Sequence, residues 1–489
     1  MQFYFRNKMK SYSKIICLTS ILLIIVFGIN LAKSKIESTP NINEVTPSTQ
    51  VNQNLIPFWK SDTIYNESML LVSYNNGQPE SPFLFPYVNI ISVQNSALNL
   101  TYTPGIDWMF KDNKLILPTG SRIPYLKDTE VATPSLSTPP EYFHTKQVSV
   151  TYSHSGKWNG PIPRYSPDLL PNTIKKLDSA SPLKIALYGD SISVGYNSSG
   201  LLNIPPYLPN WGKLVVEALG SNYSSPITFL NPSVAGMTSN WGASNVETLV
   251  SVNLPDLVII AFGMNDGTNM PPTIVPTSVE TFKNNLINIM NNVKYKNPNA
   301  EFILISTTLM NPAYSGSIQS QYITAIKTLE QVGVAVVDMT SVHEELLKTK
   351  KFADITGNNI NHPNDFLSRW YAQETIGLFI PPTLAELEMK PVKGTTDKNT
   401  IYLVEKGIKR RYPNEAIFLA SFTYPQVIQL SDATLSKIPL GSPMGTSIKP
   451  GDLNGDGKVN IYDYSRLISG YGTIYSNADF INILTNYGK

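Results

Sequence analysis

Ser191 follows the apolar run Lys184-Ile185-Ala186-Leu187-Tyr188 and stands in Gly189-Asp190-Ser191. Bounded by Pro182 and Gly189, that run predicts a buried parallel strand. Open α/β sheets carry their ligand crevice beyond the carboxyl ends of such strands, so the hydroxyl is placed to act as a nucleophile. A helix-capping serine is the structural alternative. A serine nucleophile needs a base and an oxyanion cradle. The chain has four histidines, His144, His154, His343 and His362. The first two fall in a β-rich stretch, and His343 reads as a partly exposed histidine at a helix start. His362 precedes Pro363, which disfavours helix at the residue before it, so a loop is expected there. Loops at the sheet edge are where a general base belongs. Two further stretches suit the cradle. Gly236 ends Asn231-Pro232-Ser233-Val234-Ala235-Gly236 and offers an unobstructed N–H. Asn265, in Gly263-Met264-Asn265-Asp266, offers a side-chain amide; one such donor supplies about 2.7–4 kcal/mol to a transition state. Taken singly, Gly236 also fits a plain turn and Asn265 an Asx-turn.

In combination these four blocks resemble the SGNH (GDSL-type) hydrolase family. The resemblance covers residues 183–380. It implies a flavodoxin-like three-layer α/β/α domain with esterase or acylhydrolase activity and no cofactor for catalysis. It further implies Ser191 as nucleophile, His362 as base, and an oxyanion hole from the Ser191 N–H, the Gly236 N–H and the Asn265 side chain. The family usually carries Asp three residues before the histidine, where this chain has Asn359. An amide can set the tautomer of an imidazole but cannot stabilise imidazolium by charge; in serine proteases the Asp to Asn exchange costs about 10⁴-fold in kcat. The residue that orients His362 is thus open between Asn359, Asp354 folded back by the Thr356-Gly357 turn, and no residue at all. Asp365, with Asn364, is expected to cap the last helix. A β-rich segment ahead of an SGNH domain also resembles secreted carbohydrate acetyl esterases. That implies short acyl esters, foremost acetyl, on a small molecule or polysaccharide. Trp211 and Trp241 suit either stacking on sugar rings or the core. The alternative function is a catalytically weak or inactive domain serving in glycan binding or cell-surface assembly.

A second constellation lies near the C-terminus. Asp452, Asn454, Asp456, Asn460 and Asp463 set oxygen side chains at positions 1, 3, 5, 9 and 12 of an EF-hand-type loop. Gly457 takes the sharp turn and Lys458 supplies a backbone carbonyl, so Ca²⁺ is expected here. The loop and the helical stretch Ser465–Ser469 resemble a dockerin repeat, which implies a cohesin-like partner. Dockerins carry two such loops; here the segment Tyr475–Asp479 before Phe480–Tyr487 lacks the Asp/Asn ladder. One calcium site is therefore expected, with a cohesin-like partner in doubt.

These residues need elements to hold them. Strands are expected at Leu183–Tyr188, Leu257–Phe262, Glu301–Ser306 and Val334–Val337, with helices at Ser278–Val293, Ser320–Val332 and Phe366–Phe379. This alternation predicts a doubly wound parallel sheet over residues 183–381. Residues 55–155 carry short β-prone runs split by Pro, Gly and Asn, such as Ser68–Val72, Val88–Val93, Lys114–Leu117 and Gln147–Tyr152, and predict a jelly-roll-like β-sandwich. Residues 33–54 read as a linker, 156–182 as a Pro-rich connection and 382–449 as a small mixed module whose Lys409-Arg410-Arg411 suggests an exposed basic turn. The dockerin-like module occupies 450–489. Residues 1–32 read as a signal peptide or signal anchor: Arg6, Lys8, Lys10 and Lys14 precede an apolar run from Ile15 to Ile29. A secreted or cell-surface protein is expected, touching membrane only through that segment if it stays uncleaved. The one cysteine, Cys17, lies inside the segment, so disulfides and a cysteine nucleophile are excluded beyond it. A net charge of +2, resting on those four basic residues, implies no nucleic-acid partner.

Overall fold

The apolar runs in the middle of the chain are continuous rather than alternating, as parallel strands covered on both faces require. A computed structural model describes residues 43–45, 53–132, 134–269, 275–314, 316–445, 450–453, 458–471 and 475–488. Strand β1 (Leu183–Gly189) pairs in parallel with β2 (Ile227–Leu230) on one side and β3 (Leu257–Ala261) on the other. Beyond β3 follow β4 (Glu301–Ile305) and β5 (Val334–Val337). The order β2-β1-β3-β4-β5 is that of a flavodoxin-like doubly wound sheet. Ile185 and Leu187 share a core with Trp211 of α2 (Trp211–Tyr223) and Trp370 of α7 (Asp365–Gly377). Ala186 and Tyr188 point the other way and share a second core with Val246 of α3 (Ser239–Leu249), Phe282 of α4 (Val279–Lys296) and Tyr322 of α5 (Gln319–Lys327). Helix α6 (Met339–Leu347) follows β5, and the four-residue α1 (Ser191–Val194) follows β1.

Residues 1–32, expected as a targeting segment, lie outside the described residues, as does most of the stretch expected as a linker. Its Asn43–Val45 is nonetheless a strand, antiparallel to β2. This corrects the expectation at those residues: an outer sheet edge presents unpaired backbone groups, and a short strand satisfies them. Among the described residues no helix is long and apolar enough to cross a membrane.

Residues 55–155 hold two sheets. One is three-stranded and antiparallel, with Gln147–His154 between Thr63–Leu70 and Tyr87–Asn95. The other has five strands of two or three residues each, Val72–Ser73, Glu80–Pro82, Met109–Lys111, Lys114–Ile116 and Leu126–Lys127. Their apolar side chains divide: Ile64 and Val150, with Phe58 and Phe83 from the connecting segments, belong to the cluster of Leu187, Trp211 and Trp370, while Leu70, Val72, Leu126 and Phe143 gather in a smaller cluster with Ala353. Polar groups join the parts as well. Lys350 Nζ lies 2.6 Å from Glu67 Oε1 with both side chains fully buried, and the Tyr152 hydroxyl donates to Glu67 Oε2 at 2.5 Å.

The region 382–449 contains a four-stranded sheet. Its basic cluster is not an exposed turn: strand Ile408–Arg411 pairs antiparallel with Ile401–Glu405, and Arg410 Nη1 meets Glu405 Oε2 at 3.0 Å. The turn falls earlier, at Lys406 and Gly407, whose φ of 53° and 74° suit a tight hairpin. Two helices, Ile461–Gly470 and Asn477–Asn486, end the chain around Val459, Leu467, Tyr475 and Ile483.

Candidate active site

The end of β1 sets the serine. At Gly189 a Cβ would lie 2.4 Å from the Ala261 carbonyl oxygen, so only glycine lets β1 finish flush against β3. Asp190, not Ser191, is the helix cap: its Oδ1 accepts the Ile192 N–H at 3.0 Å. Ser191 is then the first residue of α1, where backbone amides have no intrahelical acceptor. Its side chain is free for chemistry and only 5% of the residue is exposed.

The second side chain arrives from the loop before α7. Asn358 Oδ1 accepts the N–H groups of Ile360, Asn361 and His362 at 2.9, 3.0 and 3.1 Å, which winds the loop into a rigid turn. The Gly357 N–H donates to the His362 carbonyl at 2.9 Å. His362 Nε2 thereby lies 2.9 Å from Ser191 Oγ, and its Nδ1 lies 2.7 Å from Asn197 Oδ1. Burial pushes the imidazole pKa down to about 4.

The third strand brings Asn265. Its amide donates to the Met237 carbonyl at 3.1 Å and to Asp190 Oδ2 at 3.3 Å, tying the β3 loop to both the Gly236 turn and the nucleophile turn. Gly236 has a φ of 78°, and a Cβ there would meet nothing within 4 Å. Asp266, beside Asn265, accepts the Ser239 N–H at 3.0 and 2.9 Å and so caps α3. Burial, with the nearby Asp266 charge, raises the Asp190 pKa to about 7. The arrangement sets a hydroxyl against an imidazole, with the Asn265 amide tying the Gly236 turn to the nucleophile turn, a set suited to attack on an acyl carbonyl.

Residues 187–367 match the GDSL-like Lipase/Acylhydrolase family. Over that stretch the chain is similar to a GDSL-like domain. An arylesterase of Vibrio mimicus is 31% identical over 97 residues, 20% of this chain and 44% of that protein, so the chain spans less than half of this curated relative. A two-domain esterase (CEX) active on acetylated mannans aligns with a TM-score of 0.36 at 20% identity, over 45% of this chain and 54% of that one. Axe2, an acetylxylan esterase of Geobacillus stearothermophilus, aligns with a TM-score of 0.34 at 20% identity, over 40% of this chain and 94% of that one.

Within the GDSL-like domain, neither residue expected behind His362 reaches it. Asn359 donates to the Val131 carbonyl at 2.9 Å and accepts from Asn311, because its φ of 55° turns the side chain out of the loop. Asp354 is spent on the β-rich region: it accepts from Leu70 N–H at 2.8 Å, Ser81 Oγ at 3.2 Å and Lys351 N–H at 2.8 Å. Asn197 holds that place instead. No motif marked it; it sits at a left-handed φ of 63°, two residues after the Gly195 that ends α1. Asp365 does not cap α7 either; Asn364 does so alone through Phe366 and Leu367, while Asp365 accepts the Ser199 N–H at 2.8 Å. His343 is fully buried rather than partly exposed, edge-on to Phe352 at 5.2 Å. Trp211 is core, 1% exposed and donating to the Ile192 carbonyl at 3.1 Å. Trp241 packs against Tyr188. Of the calcium-loop residues, Asn454 and Asp456 lie outside the described residues, as does Gly457. Asn460 accepts the Tyr462 N–H at 2.8 Å, and the fully buried Asp463 accepts the Asn460 N–H at 2.7 Å. Asp452 and Lys458 flank the same loop.

Proposed function

We propose that this protein is an exported serine esterase that hydrolyses short acyl esters, foremost acetyl, of carbohydrate hydroxyls. The 2.9 Å contact between Ser191 Oγ and His362 Nε2 carries the reading. Ser191 Oγ bonds to the ester carbonyl carbon as its proton passes to Nε2. The oxyanion takes hydrogen bonds from the Ser191 and Gly236 N–H groups and from Asn265, whose long contact to Asp190 is the one it replaces. Collapse breaks the bond to the sugar oxygen, which leaves with the proton from Nε2. Water, deprotonated by the same Nε2, then frees the acid and restores Ser191. The Tyr196 ring supports a sugar substrate: it is 43% exposed and its centroid lies 5.6 Å from that of His362, a flat apolar face at the rim. Export rests on the basic and apolar N-terminal segment and on a chain free of cysteine beyond it.

A chromogenic acetate ester should be turned over by the wild type and about 10⁶-fold more slowly by Ser191→Ala or His362→Ala. Equal rates in wild type and Ser191→Ala would reject the enzyme and favour a glycan-binding scaffold. Rates should fall from acetate to octanoate; a preference for the long chain would reject the short-acyl part.

The C-terminal loop is proposed to hold one calcium ion through Asp452, Asn454, Asp456, the Lys458 carbonyl, Asn460 and Asp463. A fully buried carboxylate such as Asp463 is the kind of oxygen a cation neutralises. Removing calcium from the full chain should open residues 450–489 to protease while ester turnover persists. Equal protection with and without chelator would reject the site.

A further inference from the structure

We propose that Asn197 is the positioning residue of His362, fixing the Nδ1–H tautomer through a neutral amide that the surrounding carbonyls select over a carboxylate. The inference rests on the proposed roles of Ser191 and His362.

The amide has one orientation. Its Nδ2 donates to the Pro140 carbonyl at 2.7 Å and faces the Gly357 carbonyl at 3.5 Å. Flipping it would set Oδ1 against two carbonyl oxygens. Oδ1 is thus left for the imidazole, at 2.7 Å from Nδ1. Oδ1 can only accept, so Nδ1 carries the hydrogen and the Nε2 lone pair faces Ser191 Oγ. The backbone is built for this contact. Asn197 sits at a φ of 63°, where Asn is among the favoured residues. At Gly357 a Cβ would lie 2.6 Å from Asn197 Cβ and 2.8 Å from its carbonyl oxygen, so a side chain there would push the amide away.

A carboxylate at position 197 would place an acceptor oxygen against the Pro140 carbonyl. The site therefore suits an amide. The ionisable groups around it are engaged elsewhere: Asp190 with Ile192 and Asn265, Asp354 with Leu70, Ser81 and Lys351, Asp365 with Ser199. His144 Nε2 meets the Pro205 carbonyl, and Tyr196 offers its ring to His362. In serine proteases an amide behind the histidine is costly chiefly because it imposes the wrong tautomer. Here the amide is turned so that the right tautomer is kept, and what is given up is the counter-charge to imidazolium.

Nitrogen NMR of the full-length wild type near neutral pH, with His362 identified by the signal lost in His362→Gln, tests this directly. Nδ1 should be protonated and Nε2 bare. The opposite tautomer, or an even mixture, overturns the proposal, whether or not any ester is hydrolysed. Kinetics gives the second arm. Asn197→Ala should lower kcat about 10²-fold with KM little changed. Asn197→Asp should move the acid limb of the pH profile up by about one unit or more, since a charge then faces the imidazole. Full activity in the alanine variant together with an unmoved acid limb in the aspartate variant overturns it. If Asn197→Ala does not fold, the wild-type tautomer still decides. If the wild type hydrolyses no ester, the proposed function fails and the tautomer still reports on Asn197.

Discussion

Burial at His362 opposes protonation, holding its pKa near 4 against an ordinary 6.5. Only the neutral imidazole accepts the serine proton, so activity is lost as pH falls through the folded-state pKa. The acid limb of kcat/KM should therefore lie well below the ordinary imidazole value; a limb centred at that value or above would contradict this environment. At Asn265 the expected loss on substitution by alanine is about 10²–10³-fold in kcat with KM nearly constant, if the amide takes its proposed place on the developing oxyanion. A loss confined to KM would assign Asn265 to substrate binding. Ser191 and His362 could be picked from the chain because local context marks each: an apolar run ending in glycine, and a proline after the histidine. Asn197 could not, because its partner lies 165 positions away and its identity depends on two carbonyls brought in by folding.

The nucleophile turn depends on how β1 and β3 end together. Gly189→Ala drives a Cβ toward the Ala261 carbonyl oxygen, 2.4 Å away, and toward Ser193 Oγ. A cost of about 1–3 kcal/mol or more is expected, read as a lower midpoint in denaturant. An unchanged midpoint would show that the two strand ends can separate freely. The long buried strands were visible in the sequence because parallel strands covered on both faces are apolar throughout. Of the strands of two and three residues near residues 72–127, Lys114–Ile116 stood out as an apolar run, while the others were harder to see, since such lengths carry no period. Asn43–Val45 was missed for a related reason: edge pairing uses backbone groups, which any side chain carries.

Over the whole molecule, the β-rich region and the GDSL-like domain are joined by a charge pair with no access to water. Lys350→Met would leave Glu67 charged, buried and unpaired, and should cost about 3–5 kcal/mol. The loss should appear as one cooperative transition at a lower Tm. Two separated transitions would mean the parts unfold independently. Composition and motif spacing pointed to several separate modules; what they could not show is that the first shares its larger core with the hydrolase-like region. The Pro140 carbonyl carries that point furthest. The family match begins at residue 187, yet the oxygen that aims the amide behind the base lies 47 residues upstream of it. On the proposed role of Asn197, the smallest catalytic unit is longer than the recognisable domain. A fragment cut at the family boundary would keep serine and histidine but lose the tautomer. On the same role, a hydrolase unit moved into another chain would keep the tautomer only if this upstream strap moved with it.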